Sequence, residues 1–228
     1  MILRILGFDM EVEIGEGVIP ILTIKEKKLF RAVIESLIEC KNAKETNDVV
    51  ITDGLSEIDY KKETEIFLDC FTLDVNSKGV LTQLYKFIEN TMNYEPDIIN
   101  QIENDYLRIG NRIYNDYCDF DFNMTYHQKL YIPAILKALD FKIDDSENQG
   151  LLDRIYLLIN VYAKLKINKV LIFVNLKNAL NDTEVIELYK MINYKKLKSL
   201  FINSYNYGII DGESHYLIDD DYSESILF

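Results

Sequence analysis

The sequence predicts an α/β protein interrupted by a helical insertion. Three observations carry that expectation. Two β-branched runs, Val18 to Ile24 and Val170 to Val174, are apolar enough to be buried on both faces of a sheet. Helical stripes separate the strand candidates, an alternation that implies a mostly parallel sheet covered on both faces. Between about residues 77 and 139 the strand signal fades and apolar residues recur at helical spacing.

Taken in order, Met10, Val12 and Ile14 alternate with Glu11, Glu13 and Gly15, and Gly17 precedes the run to Ile24. That pattern predicts a hairpin feeding a buried strand. A helix follows, with Leu29, Val33, Leu37 and Cys40 on its apolar face. Val49 to Ile51 and Ile66 to Leu68 are short strand candidates in an acidic stretch. Val80, Leu81, Leu84, Phe87 and Ile88 mark a helix, and Pro96, suited to a first turn, opens a longer one. Ile99, Ile102, Tyr106, Ile109 and Ile113 of the latter repeat at spacings of three and four, which suits two helices packed lengthwise.

Asp119 to Met124 alternates oxygen-bearing and apolar residues and reads as a short acidic strand. Ile132 to Leu139 is helical. Leu151, Ile155, Leu158, Tyr162 and Leu165 form a further stripe before the strand Val170 to Val174, which ends at Asn175. Thr183 to Asn193 reads as helix, Leu197 to Ile202 as strand, and His215 to Ile218 as a short last strand. The expected division is an α/β head from residues 1–76 and 140–228, with a helical insertion from 77–139.

Chemistry is sparse. A phosphate cradle needs a glycine-rich loop after an early strand, so that backbone amides can approach the anion. Gly15-Glu16-Gly17 precedes the strand instead, and Lys25-Glu26-Lys27-Lys28 follows it without glycine. No catalytic constellation surrounds the two histidines, His127 and His215, and no Cys/His spacing suits zinc. The three cysteines, Cys40, Cys70 and Cys118, read as reduced, mostly buried thiols of a cytoplasmic protein. No apolar run approaches the roughly 18 to 20 residues of a membrane span, and Met1 to Phe8 does not read as a signal peptide. Asp119, Asp121 and Asn123 begin like a calcium loop, but Met124 and Leu130 stand where an EF-hand needs glycine and glutamate. A hard cation shared with other carboxylates stays open, as does a solvated strand face.

The net charge of −13 argues against a uniformly sticky nucleic-acid binder. The charge is segregated, however. From Arg154 to Lys198 nine Lys or Arg residues face Asp182, Glu184 and Glu187, while Lys25, Lys27, Lys28 and Arg31 face only Glu26. Phosphate binding follows local lysine density, so such a chain can present a basic surface while acidic overall. A protein-interaction adaptor, using its acidic surface and the cluster Asp219-Asp220-Asp221, is the alternative.

Several segments, in order, resemble the Csn-two family of type II-A CRISPR-associated adaptation proteins. Val170-Leu171-Ile172-Phe173-Val174-Asn175, then Leu180 to Val185, is similar to the family's buried strand ending in Asn and its acidic helix start. Tyr216-Leu217-Ile218-Asp219-Asp220-Asp221-Tyr222 resembles the family's close. Ile135 to Ile143 resembles another segment, and the Gly15-Glu16-Gly17 turn, the strand to Ile24 and the helix through Phe30 fit the same layout. The resemblance implies a P-loop-ATPase-like head lacking a phosphate-binding loop, plus a helical leg. It implies a non-catalytic homotetrameric ring that binds ends of linear double-stranded DNA in spacer acquisition. Its partners would be the adaptation integrase and the RNA-guided effector nuclease. It also implies calcium, for which Asp119 and Asp121 are the candidates, while Tyr126-His127-Gln128-Lys129 stands where relatives are acidic. Lys137, Lys142 and Lys169 fall where relatives carry lysine, whereas Lys25, Lys27 and Lys28 are DNA candidates from charge alone.

Overall fold

The structure is a computed structural model that describes every residue except Glu45, Asn47, Asn148, Gln149 and Phe228. The chain begins with strands β1 (Ile2–Ile5), β2 (Glu11–Glu13) and β3 (Ile19–Ile24) and helix α1 (Lys27–Lys41). There follow β4 (Val49–Asp53), β5 (Ser56–Glu57), the single turn α2 (Tyr60–Glu63) and β6 (Thr64–Phe67). Three helices come next: α3 (Lys78–Met92), α4 (Pro96–Tyr117) and α5 (Ile132–Ala138). The chain closes with α6 (Leu151–Lys164), β7 (Val170–Val174), α7 (Asp182–Tyr194), β8 (Ser199–Asn203), β9 (Glu213–Ile218) and β10 (Glu224–Leu227). It divides into two compact units, Met1–Val75 with Asp145–Phe228, and Asn76–Asp144.

In the first unit a six-stranded sheet runs β10-β9-β3-β8-β7-β6. All its pairings are parallel except the antiparallel edge β10–β9. β3 sits between β8 and β9, and every one of its residues is buried. β7 and β8 are likewise buried throughout, as the unbroken apolar run of β7 requires, while β8 carries Ser199 and Asn203 into the interior at its two ends. Alternation sends successive side chains to opposite faces. Leu22, Ile24, Ile172, Leu200, Ile202 and Ile218 form one core with Val33 and Leu37 of α1 and Leu3, Val12 and Ile51. On the other face Phe201 stacks against Phe173, with ring centroids 5.2 Å apart, and meets the edge of Tyr189 from α7 at 5.2 Å. There α6 packs beside α7 and buries Ile155, Leu158, Ile159 and Tyr162.

Asn175 ends β7 in the left-handed region, φ 54°, which asparagine tolerates better than most residues. Its Oδ1 accepts hydrogen bonds from Ser204 N at 2.8 Å and Ser204 Oγ at 3.0 Å, tying the ends of β7 and β8 together.

Several expectations are corrected. The hairpin partner of β2 is β1, not β3, and these two join β4 and β5 in a separate antiparallel sheet, β2-β1-β4-β5. Its inward residues complete the core over one face of the large sheet. His215 to Ile218 is not the last strand. The acidic cluster Asp219-Asp220-Asp221 turns the chain into β10, whose Glu224 carboxylate accepts from Asp9 N at 3.0 Å and Met10 N at 2.6 Å. Of the thiols only Cys70 is buried, while Cys40 and Cys118 are half-buried. Among the described residues no helix is long and apolar enough to cross a membrane.

In the second unit α3 packs chiefly on α5, and α4 buries no residue fully, so α3 and α4 are not a lengthwise pair. The chain returning from α4 covers part of its stripe instead. Tyr106 donates to His127 O, and Tyr126 donates to Asn111 Oδ1 at 2.6 Å. Gly110 makes room for that ring: a Cβ there would lie 2.5 Å from Tyr126 Cε2. Asp119 to Met124 is not a strand. It has no pairing partner, and Phe120 and Phe122 stack on one another at 5.1 Å in irregular backbone.

Phe201 joins two aromatic neighbours across the sheet–helix boundary. Phe201→Ala is expected to lower stability by about 3–5 kcal/mol, read as a shift of the urea midpoint with an unchanged slope.

Candidate nucleic-acid interface

Parallel sheets collect ligands at the carboxyl ends of their strands, and β3 ends there beside the N-terminus of α1. Only Lys25 and Glu26 separate β3 from α1. Glu26 caps the helix, its carboxylate accepting from Leu29 N at 2.7 Å. The amides of Leu29 and Lys28 hold that carboxyl below its ordinary range. A phosphate at a helix N-terminus would need those same amides, and here an anion of the chain itself takes them. Lys28 faces the Glu26 charge, and Lys25 faces Asp219 at the end of β9. A hydrogen bond between the Asp219 and Asp221 side chains lowers the first carboxyl and raises the second. Lys25, Lys27 and Lys28 therefore sit at a junction whose charge is already mixed.

Two lysines of the Arg154–Lys198 stretch are also spent within the chain. Lys169 Nζ lies 2.8 Å from Glu65 Oε2, and Lys41 Nζ 2.6 Å from Glu65 Oε1. Burial works against the Glu65 charge, but the hydrogen bonds from Lys169 and Lys41 outweigh it and hold the carboxyl below its ordinary range. Lys177 is buried, 2.6 Å from Glu213 Oε1, and the same oxygen accepts from Tyr189 Oη at 2.7 Å. Burial, then the neighbouring Glu213, pushes the Tyr189 phenol up. His215 Nε2 lies 2.8 Å from Thr23 Oγ1 between β9 and β3, and burial lowers its affinity for a second proton. These are ties of the fold, with no lysine offered to solvent.

The second unit arranges its bases differently. Ser77 caps α3, accepting from Val80 N, and Lys78, Thr82 and Lys86 then follow one another up a single face at spacings of four. With Leu81 and Tyr85 they line one wall of a groove of about 550 Å³. Tyr131, Pro133, Ala134 and Lys137, at the start of and along α5, line the other. Tyr85 is held by a hydrogen bond from its hydroxyl to Phe141 O at 2.9 Å. Asn76, at the groove's end, exchanges hydrogen bonds with the backbone of Ile143 at 3.0 and 2.8 Å. No carboxylate is among the lining residues, and among the described residues Lys78, Lys86 and Lys137 form no ion pair. Lys137 is thus the sequence candidate that the fold sets in a groove. Lys142 lies outside it and pairs with Asp140 at 3.2 Å. Sequence reasoning missed Lys78 and Lys86, although their eight-residue spacing on one helix was a usable signal.

Asp119 and Asp121 lie on the exposed irregular stretch after α4. Among the described residues no group of three or more His, Cys, Asp or Glu side chains is placed to hold a metal. Calcium takes six to eight oxygens, of which two carboxylates can supply at most four.

The family described as "CRISPR-associated protein (Cas_Csn2)" matches residues 43–222. CRISPR-associated protein Csn2 of Streptococcus agalactiae is 28% identical over 163 residues, covering 71% of this chain and 72% of that one. CRISPR-associated protein Csn2 of Enterococcus faecalis is 22% identical over 203 residues, covering 88% of each. The crystal structure of Stu0660 of Streptococcus thermophilus superposes with a TM-score of 0.63 at 14% identity. That likeness, which covers 100% of this chain and 76% of the other, is one of fold.

Lys169→Met is expected to lower stability at neutral pH by about 1 kcal/mol. Because the folded Glu65 carboxyl is depressed, that difference is present above its unfolded value, about 4.3. It should vanish as pH falls through the folded value, which urea unfolding at a series of pH values would follow.

Proposed function

The chain belongs to the CRISPR-associated Csn2 family, and from that premise we propose that it is a non-catalytic protein that grips the ends of linear double-stranded DNA during spacer acquisition. One observation carries the reading: Lys78, Lys86 and Lys137 gather around a groove without a carboxylate, on a chain of net charge −13. Phosphate contacts by such lysines release condensed counterions and bind without regard to sequence. The acidic remainder keeps duplex off the rest of the surface.

The family resemblance supplies the assembly: a ring of four copies through which a duplex end threads, working with the adaptation integrase and the RNA-guided effector nuclease. Around one duplex, modest basic surfaces on each copy would add up as linked contacts. The P-loop-ATPase-like head fits a role without catalysis. β3 runs into α1 through two residues, and Glu26 occupies the helix terminus where a nucleotide phosphate would sit. Calcium belongs to the proposal in one form only. Asp119 and Asp121 would contribute to an ion completed by another copy and by water.

Binding of fluorescent linear duplex, followed by anisotropy across a salt series, tests the reading. Linear duplex should bind with a steep loss on adding salt, and the same DNA closed into a circle should not. Lys137→Gln should lower the salt slope by about 0.9 for each copy whose lysine contacts phosphate. Equal binding of circular and linear DNA would sink threading, and a salt-independent affinity would sink phosphate contact. In parallel, mass in solution should rise to a tetramer with calcium, and Asp119→Asn with Asp121→Asn should remove the response.

A further inference from the structure

The groove between α3 and α5 has features that duplex phosphates alone do not call for. It is lined by two tyrosine rings, Tyr85 and Tyr131, besides its three lysines. Tyr131 is 59% exposed, and among the described residues neither ring stacks on another aromatic side chain. Tyr85 is fixed by its bond to Phe141 O, so it forms a rigid wall. At about 550 Å³ the groove has the volume of a small-molecule site, so a duplex can meet its exposed lysines, Lys78, Lys86 and Lys137, but cannot enter it. Lysines with exposed aromatic faces are the pairing that binds unpaired nucleotides, the bases stacking while the backbone follows the charge.

We infer that this groove seats unpaired nucleotides at the end of a DNA duplex, with Tyr131 and Tyr85 taking bases and Lys78, Lys86 and Lys137 taking successive phosphates. The lysine spacing selects a strand over a single nucleotide. Lys78 and Lys86 are eight residues apart on one helix, about 12 Å along its axis, farther than one phosphate bridges. Thr82 lies between them and lines the same wall. The absence of any carboxylate among the lining residues suits a polyanion and argues against a cationic or zwitterionic ligand. This inference rests on the proposal that the chain binds duplex ends, and adds that an end with a single-stranded overhang is preferred to a blunt one.

The test compares blunt duplex with the same duplex carrying a short overhang on either strand, using the whole protein and anisotropy. An overhang containing 2-aminopurine reports stacking by its quenching. The overhang of one polarity should bind about fivefold or more tighter than the blunt end, the lower range of stacking one base, with 2-aminopurine quenched. Tyr131→Ala should remove both the preference and the quenching. Tyr131→Phe should keep them. Tyr131 is exposed, so neither variant threatens the fold. Equal affinity for blunt and overhanging ends, or a preference that survives Tyr131→Ala, would overturn the inference while leaving end binding intact. Failure to bind either duplex would overturn the end-binding reading and this inference with it.

Discussion

β3 has no exposed face. Each of its six residues is buried, it pairs with β8 on one side and β9 on the other, and its side chains alternate between two cores. A strand in that position must be covered above and below, because alternate residues on both sides are apolar. α1 and the small antiparallel sheet supply one cover, and α7 with α6 supply the other. Most of the first unit's large apolar side chains are committed to that task, at roughly 25 cal/mol for each Å² removed from water.

The same constraint governs the charges. A charge caught under the covers needs a partner, and three lysines of the first unit find theirs in acids of the chain. Lys177 pairs with Glu213 in the interior, and Lys169 and Lys41 share Glu65 at its margin. Glu26 turns even the N-terminus of α1 inward on itself. What began as a basic stretch in the sequence is thereby partly neutralised. Other lysines of the first unit, Lys190, Lys195 and Lys198 among them, form no ion pair among the described residues, but it is in the second unit that Lys78, Lys86 and Lys137 flank a groove, left between α3 and α5 instead of a closed core.

How much of this was legible depends on whether a signal was local. β7 and α6 were plain, since an unbroken apolar run and a stripe of period 3.6 each have one good explanation. The small sheet was obscured because β1 is four residues long and β5 two, too short for a pattern. β10 was hidden by the acids around it, of which Glu224 finds its partners in the backbone amides of Asp9 and Met10, more than two hundred residues earlier in the chain. The alternation from Asp119 to Met124 misled for the opposite reason. A strand needs a neighbour to take its hydrogen bonds, and alternation cannot report whether one is present. The groove was half legible: Lys137 stood out by resemblance, while Lys78 and Lys86 needed α3 to be turned toward α5 before their spacing meant anything.

We propose that an acidic chain meets DNA through the lysines of the groove between α3 and α5. Backbone hydrogen exchange of the whole protein, with and without linear duplex, addresses that claim directly. The expected result is slowed exchange in residues 78–86 and 131–137 when duplex is added, with residues 213–227 unchanged. Slowing confined to the acidic β9–β10 region, or to the β3–α1 junction, would contradict it.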